Sequence, residues 1–389
     1  MYYNEFKELK LSALGYGTMR MPVLSGPADV DQEKLNEIVD YAIEHGVNYF
    51  DTAYMYHDNM GEGAIGRALA RYPRDSWYLA DKYPGHQVMD DYDCDTIFQE
   101  QLRRCGVEYF DFYLLHNVNE FSLRNYLNPE LGIKEYFVKA REEGRIKHFG
   151  FSCHGDCQCI EQFLAEYGDV VEFCQIQLNY LDWTLQDAKA KYELLTERGI
   201  PIWVMEPCRG GKLANPAEEI AGRIRALDPE ASIPSWAFRF LQGLPNVKMI
   251  LSGMSTMEQI ADNVNTFSER RPLSEKEVAV LFEVAEEMKN AIPCTGCRYC
   301  CHGCPKQIDI PKLIALYNDY KLYPSVNINI LLAAVEVMPD ECIGCGQCSS
   351  VCPQGIEVPK IMLEMGEAFS SLASWADICR EREEALKNG

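Results

Sequence analysis

Positive charge is scarce in this chain: 37 lysines and arginines stand against 59 aspartates and glutamates, for a formal net charge of −22. So acidic a surface repels nucleic-acid phosphates and anionic membrane, and neither is expected as a partner. No uninterrupted apolar run reaches the length that spans a bilayer. Residues Met1 to Lys10 are mixed and polar, without the basic start and apolar stretch of a secretory signal. The expectation is therefore a cytoplasmic protein. A G-x-G-x-x-G after the first candidate strand is also missing, which leaves an open doubly wound dinucleotide-binding sheet unsupported.

What is present begins with length. The 389 residues are too many for one small core and suit a barrel of ordinary size plus an appendage. A 47% hydrophobic and 25% charged composition is that of a globular protein. Of 17 cysteines, nine lie between Cys294 and Cys352. In a reducing compartment such a concentration points to metal rather than to disulfides.

The thiols fall into two runs, Cys294-x2-Cys297-x2-Cys300-x3-Cys304-Pro305 and Cys342-x2-Cys345-x2-Cys348-x3-Cys352-Pro353. Three closely spaced thiolates can wrap three corners of a cubane cluster, while the longer gap and the proline push the fourth away. Zinc, with four ligands in two short pairs, gives no reason for a duplicated triplet-plus-one pattern. The runs resemble the bacterial-type ferredoxin domain with two 4Fe–4S clusters. That resemblance implies one cluster on Cys294, Cys297, Cys300 and Cys352, and a second on Cys342, Cys345, Cys348 and Cys304. Cys301 falls off the spacing and reads as a neighbour, not a ligand. Between the runs, Ile310 to Tyr317 has proline in a first helical turn and Leu313, Leu316 and Tyr317 on one face. A second helix is expected over 328–337, so the domain is read as mainly helical.

Before Pro272, short apolar runs alternate with longer amphipathic segments. Strands are expected at 14–18, 47–51, 77–82, 112–116, 148–152, 174–178, 202–206 and 249–252. Helical patterns include 32–45, 63–71, 95–105, 133–143 and 185–198. Eight strands separated by helices imply a parallel sheet closed into a (β/α)8 barrel. The expected domains are thus a barrel over 1–272 and an iron–sulfur domain over 273–389. Asp51, Lys82, His116 and Ser152 end four successive strands, and a barrel collects such residues on one rim, where active sites assemble.

The segment from Gly46 to Ala53 with Tyr56, followed by Ala64-Ile65-Gly66-Arg67-Ala68-Leu69, resembles the signature of the aldo-keto reductase family. Ala80-Asp81-Lys82 and Tyr113-Leu114-Leu115-His116 match its next two catalytic positions. The resemblance implies a catalytic tetrad of Asp51, Tyr56, Lys82 and His116. It also implies reversible hydride transfer between a nicotinamide cofactor and a carbonyl or alcohol. Tyr56 would exchange the proton. Because a free tyrosine has a pKa near 10, Lys82 beside its hydroxyl would favour phenolate, held in place by Asp51. His116 would orient and polarise the carbonyl.

The same resemblance carries cofactor positions. Gly17-Thr18-Met19 corresponds to the first-strand turn near the nicotinamide ribose, and Ser152 and Gln175 to positions that hold the carboxamide. Cys153 replaces the family's asparagine, and Met205 replaces the aromatic residue that stacks on the nicotinamide; a thioether can still meet a ring face. The stretch from Leu251 to Asn263, including Ser252, Gly253, Met254, Gln259 and Asn263, resembles the adenosine-binding segment. Gly253 and Gln259 stand where many relatives carry the lysine and arginine that grip a 2′-phosphate, so NADH is favoured over NADPH.

Two features remain outside this reading. Cys153-His154-x2-Cys157-x-Cys159 reads either as a third metal site or as a loop of unreactive thiols, and Cys208 has the same status. A nicotinamide exchanges two electrons as hydride whereas a cluster takes one, and no flavin motif is recognisable to split the pair. The clusters would then be structural or regulatory, or would receive electrons from a redox partner protein. The alternative function is a redox-sensing or electron-transfer protein that binds nicotinamide with little turnover.

Overall fold

A computed structural model describes residues 1–86, 93–288, 292–322, 331–332 and 335–372. The chain divides into two compact units, Met1–Glu286 and Glu287–Gly389.

The first unit opens with a hairpin of β1 (Tyr3–Phe6) and β2 (Leu9–Ser12). Eight parallel strands follow: β3 (Leu14–Gly17), β4 (Tyr49–Asp51), β5 (Tyr78–Tyr83), β6 (Phe110–Val118), β7 (Ile146–Cys153), β8 (Cys174–Gln177), β9 (Ile202–Met205) and β10 (Val247–Ser252). They pair in sequence order, and β10 pairs with β3 to close the barrel. Each strand is short and buried almost throughout, because helices cover the outside while side chains fill the inside. Tyr49, Ala80, Phe112, Leu114, Phe173, Trp203, Met249 and Leu251 form that interior. Phe6 of the hairpin joins them, edge-on to Trp203 at 5.0 Å, and so plugs the N-terminal end of the barrel.

All eight strands lie where the apolar runs predict them, with ends displaced by a few residues. The first stops at Gly17, and Thr18 opens a short 3-10 turn, Thr18–Arg20. Helices occupy Gln32–Glu44, Gly61–Leu69, Cys94–Cys105, Ile133–Glu142 and Ala188–Glu197. The last is shorter than the expected 185–198 because Asp187 adopts φ +50, which separates it from the preceding turn Asp182–Leu185. The unit takes in most of helix Glu275–Met288, beyond residue 272: Glu277 pairs with Arg239 at 3.0 Å and Phe282 meets Phe240 edge-on.

The second unit is small and mainly helical. Each cysteine run is followed by a helix with proline in its first turn: Ile310–Leu322 after the first run, Val358–Ser370 after the second. Leu313, Ile314 and Tyr317 of the first helix share a core with Met362, Met365 and Phe369 of the second. The expected helix at 328–337 lies largely outside the described residues; of these, 331–332 are helical and 335–337 are not.

Candidate active site and thiol sites

The C-terminal rim of the barrel brings Asp51, Tyr56, Lys82 and His116 together. Lys82 Nζ is fully buried and donates to Asp51 Oδ1 and to the Thr52 carbonyl, each at 2.6 Å. The ammonium lies 5.0 Å from the centroid of the Tyr56 ring, and that ring meets His116 edge-on at 6.0 Å. Burial pushes the Asp51 carboxyl above its ordinary range, and the Lys82 ammonium pulls it back.

Tyr56 is aimed by an unusual stretch of backbone. His57, Asp58 and Asn59 follow it in succession with φ of +53, +52 and +69. Left-handed backbone costs non-glycine residues roughly 1 kcal/mol each and is best tolerated by short polar side chains. The chain is then caught by Gly61, whose N–H donates to the Tyr56 carbonyl at 3.0 Å. A Cβ on Gly61 would sit 2.9 Å from that oxygen, so the approach requires glycine.

Burial raises the Tyr56 phenol well above 10; Asp51, Glu206 and Asp81 add to the rise and Arg20 opposes it. The phenol is thus held neutral, as a proton donor. Burial, with His86, Lys82 and His154 nearby, holds the His116 imidazole well below its ordinary value. His86 meets His116 edge-on at 4.7 Å and is itself pushed down to about 4 by burial. A neutral imidazole can donate one N–H to an oxygen without adding a net charge. His154, from the Cys153-His154 motif, is pushed down to about 3 by burial, and His86 belongs to this rim without a motif of its own in the sequence. Its signal there was position alone, four residues past Lys82.

The expected cofactor residues surround the same rim. Ser152 and Gln175 are buried on adjacent strands in register. Ser152 Oγ accepts the N–H of Asn117 at 2.8 Å, which ties it to the residue after His116. Gln175 Oε1, Thr18 Oγ1 and Asp51 Oδ2 are buried polar atoms without a hydrogen-bond partner among the described residues. Such atoms are costly unless something else satisfies them. Gly17 and Met19 flank Thr18, and Met205 ends β9 partly exposed.

Ser252 ends β10, and its hydroxyl accepts from Asn263 Nδ2 at 3.0 Å. Gln259 Oε1 accepts the Ser255 N–H at 2.7 Å. Met254 is turned inward: its side chain is buried, and its carbonyl accepts from Tyr16. Gly253 lies against Arg20, whose Cβ a side chain there would meet at 3.1 Å. Arg20 in turn pairs with Glu206 at 3.2 Å.

In the second unit, Cys294, Cys297, Cys300 and Cys352 line one cavity. Cys304, Cys342, Cys345 and Cys348 line another. Each cavity therefore takes three thiols from one run and the last thiol of the other. Cys301 lines neither. Among the described residues no three His, Cys, Asp or Glu side chains close on one point as ligands of a single ion; the thiols surround a space. The donor set of four thiols per cavity, none in a disulfide, suits a 4Fe–4S cluster in each.

The expectation of a thiol-rich loop after the fifth barrel strand is corrected. Cys157 and Cys159 sit in the first turn of helix Cys157–Tyr167, capped by the Asp156 carboxylate, which accepts the Cys159 N–H at 2.8 Å. Ile160, Phe163, Leu164 and Tyr167 are its buried face, a helical spacing legible in the sequence. Burial pushes the Cys153 thiol well above its ordinary value and the Cys208 thiol up to about 12, as in unreactive structural cysteines.

Comparison with known proteins agrees with this division. Residues 13–286 match the aldo/keto reductase family, and residues 293–357 match the 4Fe–4S dicluster domain. The chain is 24% identical over 328 residues to an NADH-specific methylglyoxal reductase of Escherichia coli, spanning 72% of this chain and 97% of that one. It is 23% identical over 311 residues to L-galactose dehydrogenase of Arabidopsis thaliana, spanning 72% and 93%. Among solved structures, the holo form of an aldo-keto reductase from Bacillus halodurans superposes with a TM-score of 0.58 at 22% identity, over 73% of this chain and 96% of that one. An aldo-keto reductase from Klebsiella pneumoniae in complex with NADP and acetate gives 0.57 at 20% identity, over 72% and 93%.

Proposed function

Because the chain belongs to the aldo/keto reductase family, we propose that it interconverts a carbonyl and an alcohol by hydride transfer, with two 4Fe–4S clusters in its C-terminal domain. The observation that carries this reading is the meeting of buried Asp51, Lys82 and His116 with the partly buried Tyr56 on one barrel rim. A bound nicotinamide dinucleotide supplies the hydride in the reductive direction and accepts it in the other. The orphaned Gln175 Oε1 is an acceptor suited to the amide N–H of the carboxamide, and the partly exposed Met205 is suited to lie against the ring.

The residues of the chain do the proton work. The His116 imidazole, kept neutral, donates its N–H to the substrate oxygen and orients it. Tyr56 then gives its proton to the same oxygen as negative charge develops there. The Lys82 ammonium, held by Asp51, stabilises the phenolate left behind; its charge lies over the ring face. In the oxidative direction the same groups run in reverse.

NADH is the favoured cofactor, since Gly253 and Gln259 offer no cation for a 2′-phosphate. The eight cysteines that ring the two cavities would hold one cluster each, Cys294, Cys297, Cys300 and Cys352 in one and Cys304, Cys342, Cys345 and Cys348 in the other. Those clusters would exchange single electrons with a redox partner or brace the domain.

Tyr56→Phe tests the reading. Anaerobic turnover of a panel of aldehydes and ketones is expected to fall by roughly 10²-fold or more, the scale of a lost general acid, while nicotinamide binding and the melting temperature stay as they were. Unchanged turnover in a folded variant would remove Tyr56 from the proton transfer. Nicotinamide binding by the unmodified protein without turnover of any substrate would favour a sensor.

A further inference from the structure

Behind the tetrad lies a second pair of acids that the chemistry above does not use. Asp81 precedes Lys82 on β5, and Glu62 is the second residue of helix Gly61–Leu69. Both are fully buried, and their carboxyl groups stand within hydrogen-bonding reach of each other.

The charges around them do not balance two carboxylates. Arg104 donates to Glu62 Oε2 at 2.9 Å but divides itself with Glu100 at 2.7 Å. Lys82 gives Asp81 only its backbone N–H, at 2.8 Å; its ammonium is committed to Asp51. The other titratable groups facing the pair are Cys105, which donates to Asp81 Oδ2 at 3.7 Å, and Tyr113. Burial raises both well above their ordinary values, so neither offers charge. With both acids ionised, Glu62 Oε1 is left buried without a donor among the described residues, and the Gln101 amide beside it is drawn to the Lys82 carbonyl. Like charges in contact inside a protein cannot both persist; one retains its proton.

We propose that Asp81 keeps its proton at neutral pH and donates it to Glu62, and that this bond braces Tyr56 and Lys82 against each other. The mechanical links are short on both sides. Helix Gly61–Leu69 begins at the residue whose N–H holds the Tyr56 carbonyl, and Glu62 is next in the chain. Asp81 Oδ1 holds the Lys82 N–H, and Gln101 Nε2 holds the Lys82 carbonyl at 3.0 Å. Gly66 presses the same helix so close to Cys105 that a Cβ there would lie 2.3 Å from its carbonyl, which fixes the helix over the pair.

The brace has an electrostatic consequence. An ionised Asp81 is among the groups that make the Tyr56 phenol harder to ionise, whereas a neutral one spares it that charge. The pair also sets a direction with pH. Burial, with Glu62 beside it, raises the Asp81 carboxyl well above its ordinary value. The brace is intact below that raised value and is lost as pH climbs through it. This link to turnover rests on Tyr56 being the proton donor; the proton on Asp81 does not.

The test uses the full chain with its iron–sulfur domain loaded. Infrared spectra at neutral pH of the unmodified protein and of Asp81→Asn are subtracted. An un-ionised carboxyl C=O band is expected in the former and absent from the latter. Asn supplies an N–H to Glu62 in place of the O–H, so Asp81→Asn is expected to keep carbonyl turnover within about threefold, since a donor is exchanged rather than deleted. Its activity is expected to persist to higher pH. Asp81→Ala, which leaves Glu62 without that donor, is expected to lose turnover by roughly tenfold or more through misplacement of the tetrad. No carboxyl band that depends on Asp81, or an Asp81→Asn variant as impaired as Asp81→Ala, would overturn the proposal. Should the unmodified protein reduce no carbonyl at all, the functional reading fails while the infrared difference still decides where the proton is.

Discussion

Lys82 Nζ stands 2.6 Å from Asp51 Oδ1, and both side chains are almost wholly out of solvent. Breaking a buried pair from one side leaves a charge without its counterpart, which typically costs about 3–5 kcal/mol. Asp51→Asn preserves shape and an acceptor oxygen for Lys82 but removes the negative charge. It is expected to lower the melting temperature and to reduce kcat/KM by roughly 10²-fold, the scale of a disturbed acid–base group. Turnover within a factor of two of the unmodified protein would show that Asp51 only fills space.

The barrel was legible from sequence because it rests on a local signal. Every strand is a short apolar run followed by an amphipathic helix, and residues such as Asp51 and His116 mark the rim by ending their runs. The cysteine crossing came from the resemblance to two-cluster ferredoxins, and each cavity draws three thiols from one run and one from the other. What escaped depends on distant partners. Tyr3–Phe6 and Leu9–Ser12 are polar enough to read as a tail, and only Phe6 reaching Trp203 makes them the plug of the barrel. Glu62 and Asp81 are nineteen positions apart on different elements, and each alone resembles an ordinary surface acid. Cys157 and Cys159 carry a ligand-like spacing on the same turn as the helical spacing of Ile160, Phe163, Leu164 and Tyr167.

One buried and two partly buried imidazoles near this rim have proton affinities below the ordinary value of about 6.5: His116 well below, His86 at about 4 and His154 at about 3. A histidine that is neutral when folded binds fewer protons than the unfolded chain at pH below 6.5, so acid favours unfolding. The melting temperature is expected to fall steadily as pH drops from about 6.5 toward 4. His86→Gln is expected to flatten that fall. The rate of carbonyl reduction should show no limb centred near 6.5 that His116→Asn removes; such a limb would mean the imidazole is protonated during turnover.

Each cavity in the second unit borrows one thiol from the other cysteine run, so a single substitution should act at a distance in sequence. Cys304→Ala is expected to lower bound iron by about half, the share of one cluster of two. The cluster lost is the one among Cys342, Cys345 and Cys348, not the one beside Cys304 in the chain. Cys301→Ala should leave iron unchanged, because that side chain lines neither cavity. Iron and sulfide analysis with electron paramagnetic resonance of the reduced protein decides both. Loss of iron in Cys301→Ala would make it a ligand and undo the crossed assignment.

Gln259 is the position at which cofactor choice is most open to change. It lies in the first turn of helix Met257–Thr266, exposed, with its side-chain oxygen on the Ser255 N–H at 2.7 Å. Gly253 is a poorer target, since a side chain there would meet Arg20. An arginine at 259 brings a guanidinium to the segment read as adenosine-binding, and a charge-assisted hydrogen bond is worth about 1.5–3 kcal/mol. Losing the bond to Ser255 bears on both cofactors alike and cancels in their ratio. Gln259→Arg is therefore expected to raise the kcat/KM ratio of NADPH over NADH by about tenfold, each decade corresponding to about 1.4 kcal/mol. The same substitution should make NADPH binding more sensitive to salt, because the new contact is ionic and near the surface. A ratio that does not move would place the 2′-position of the ribose away from this helix.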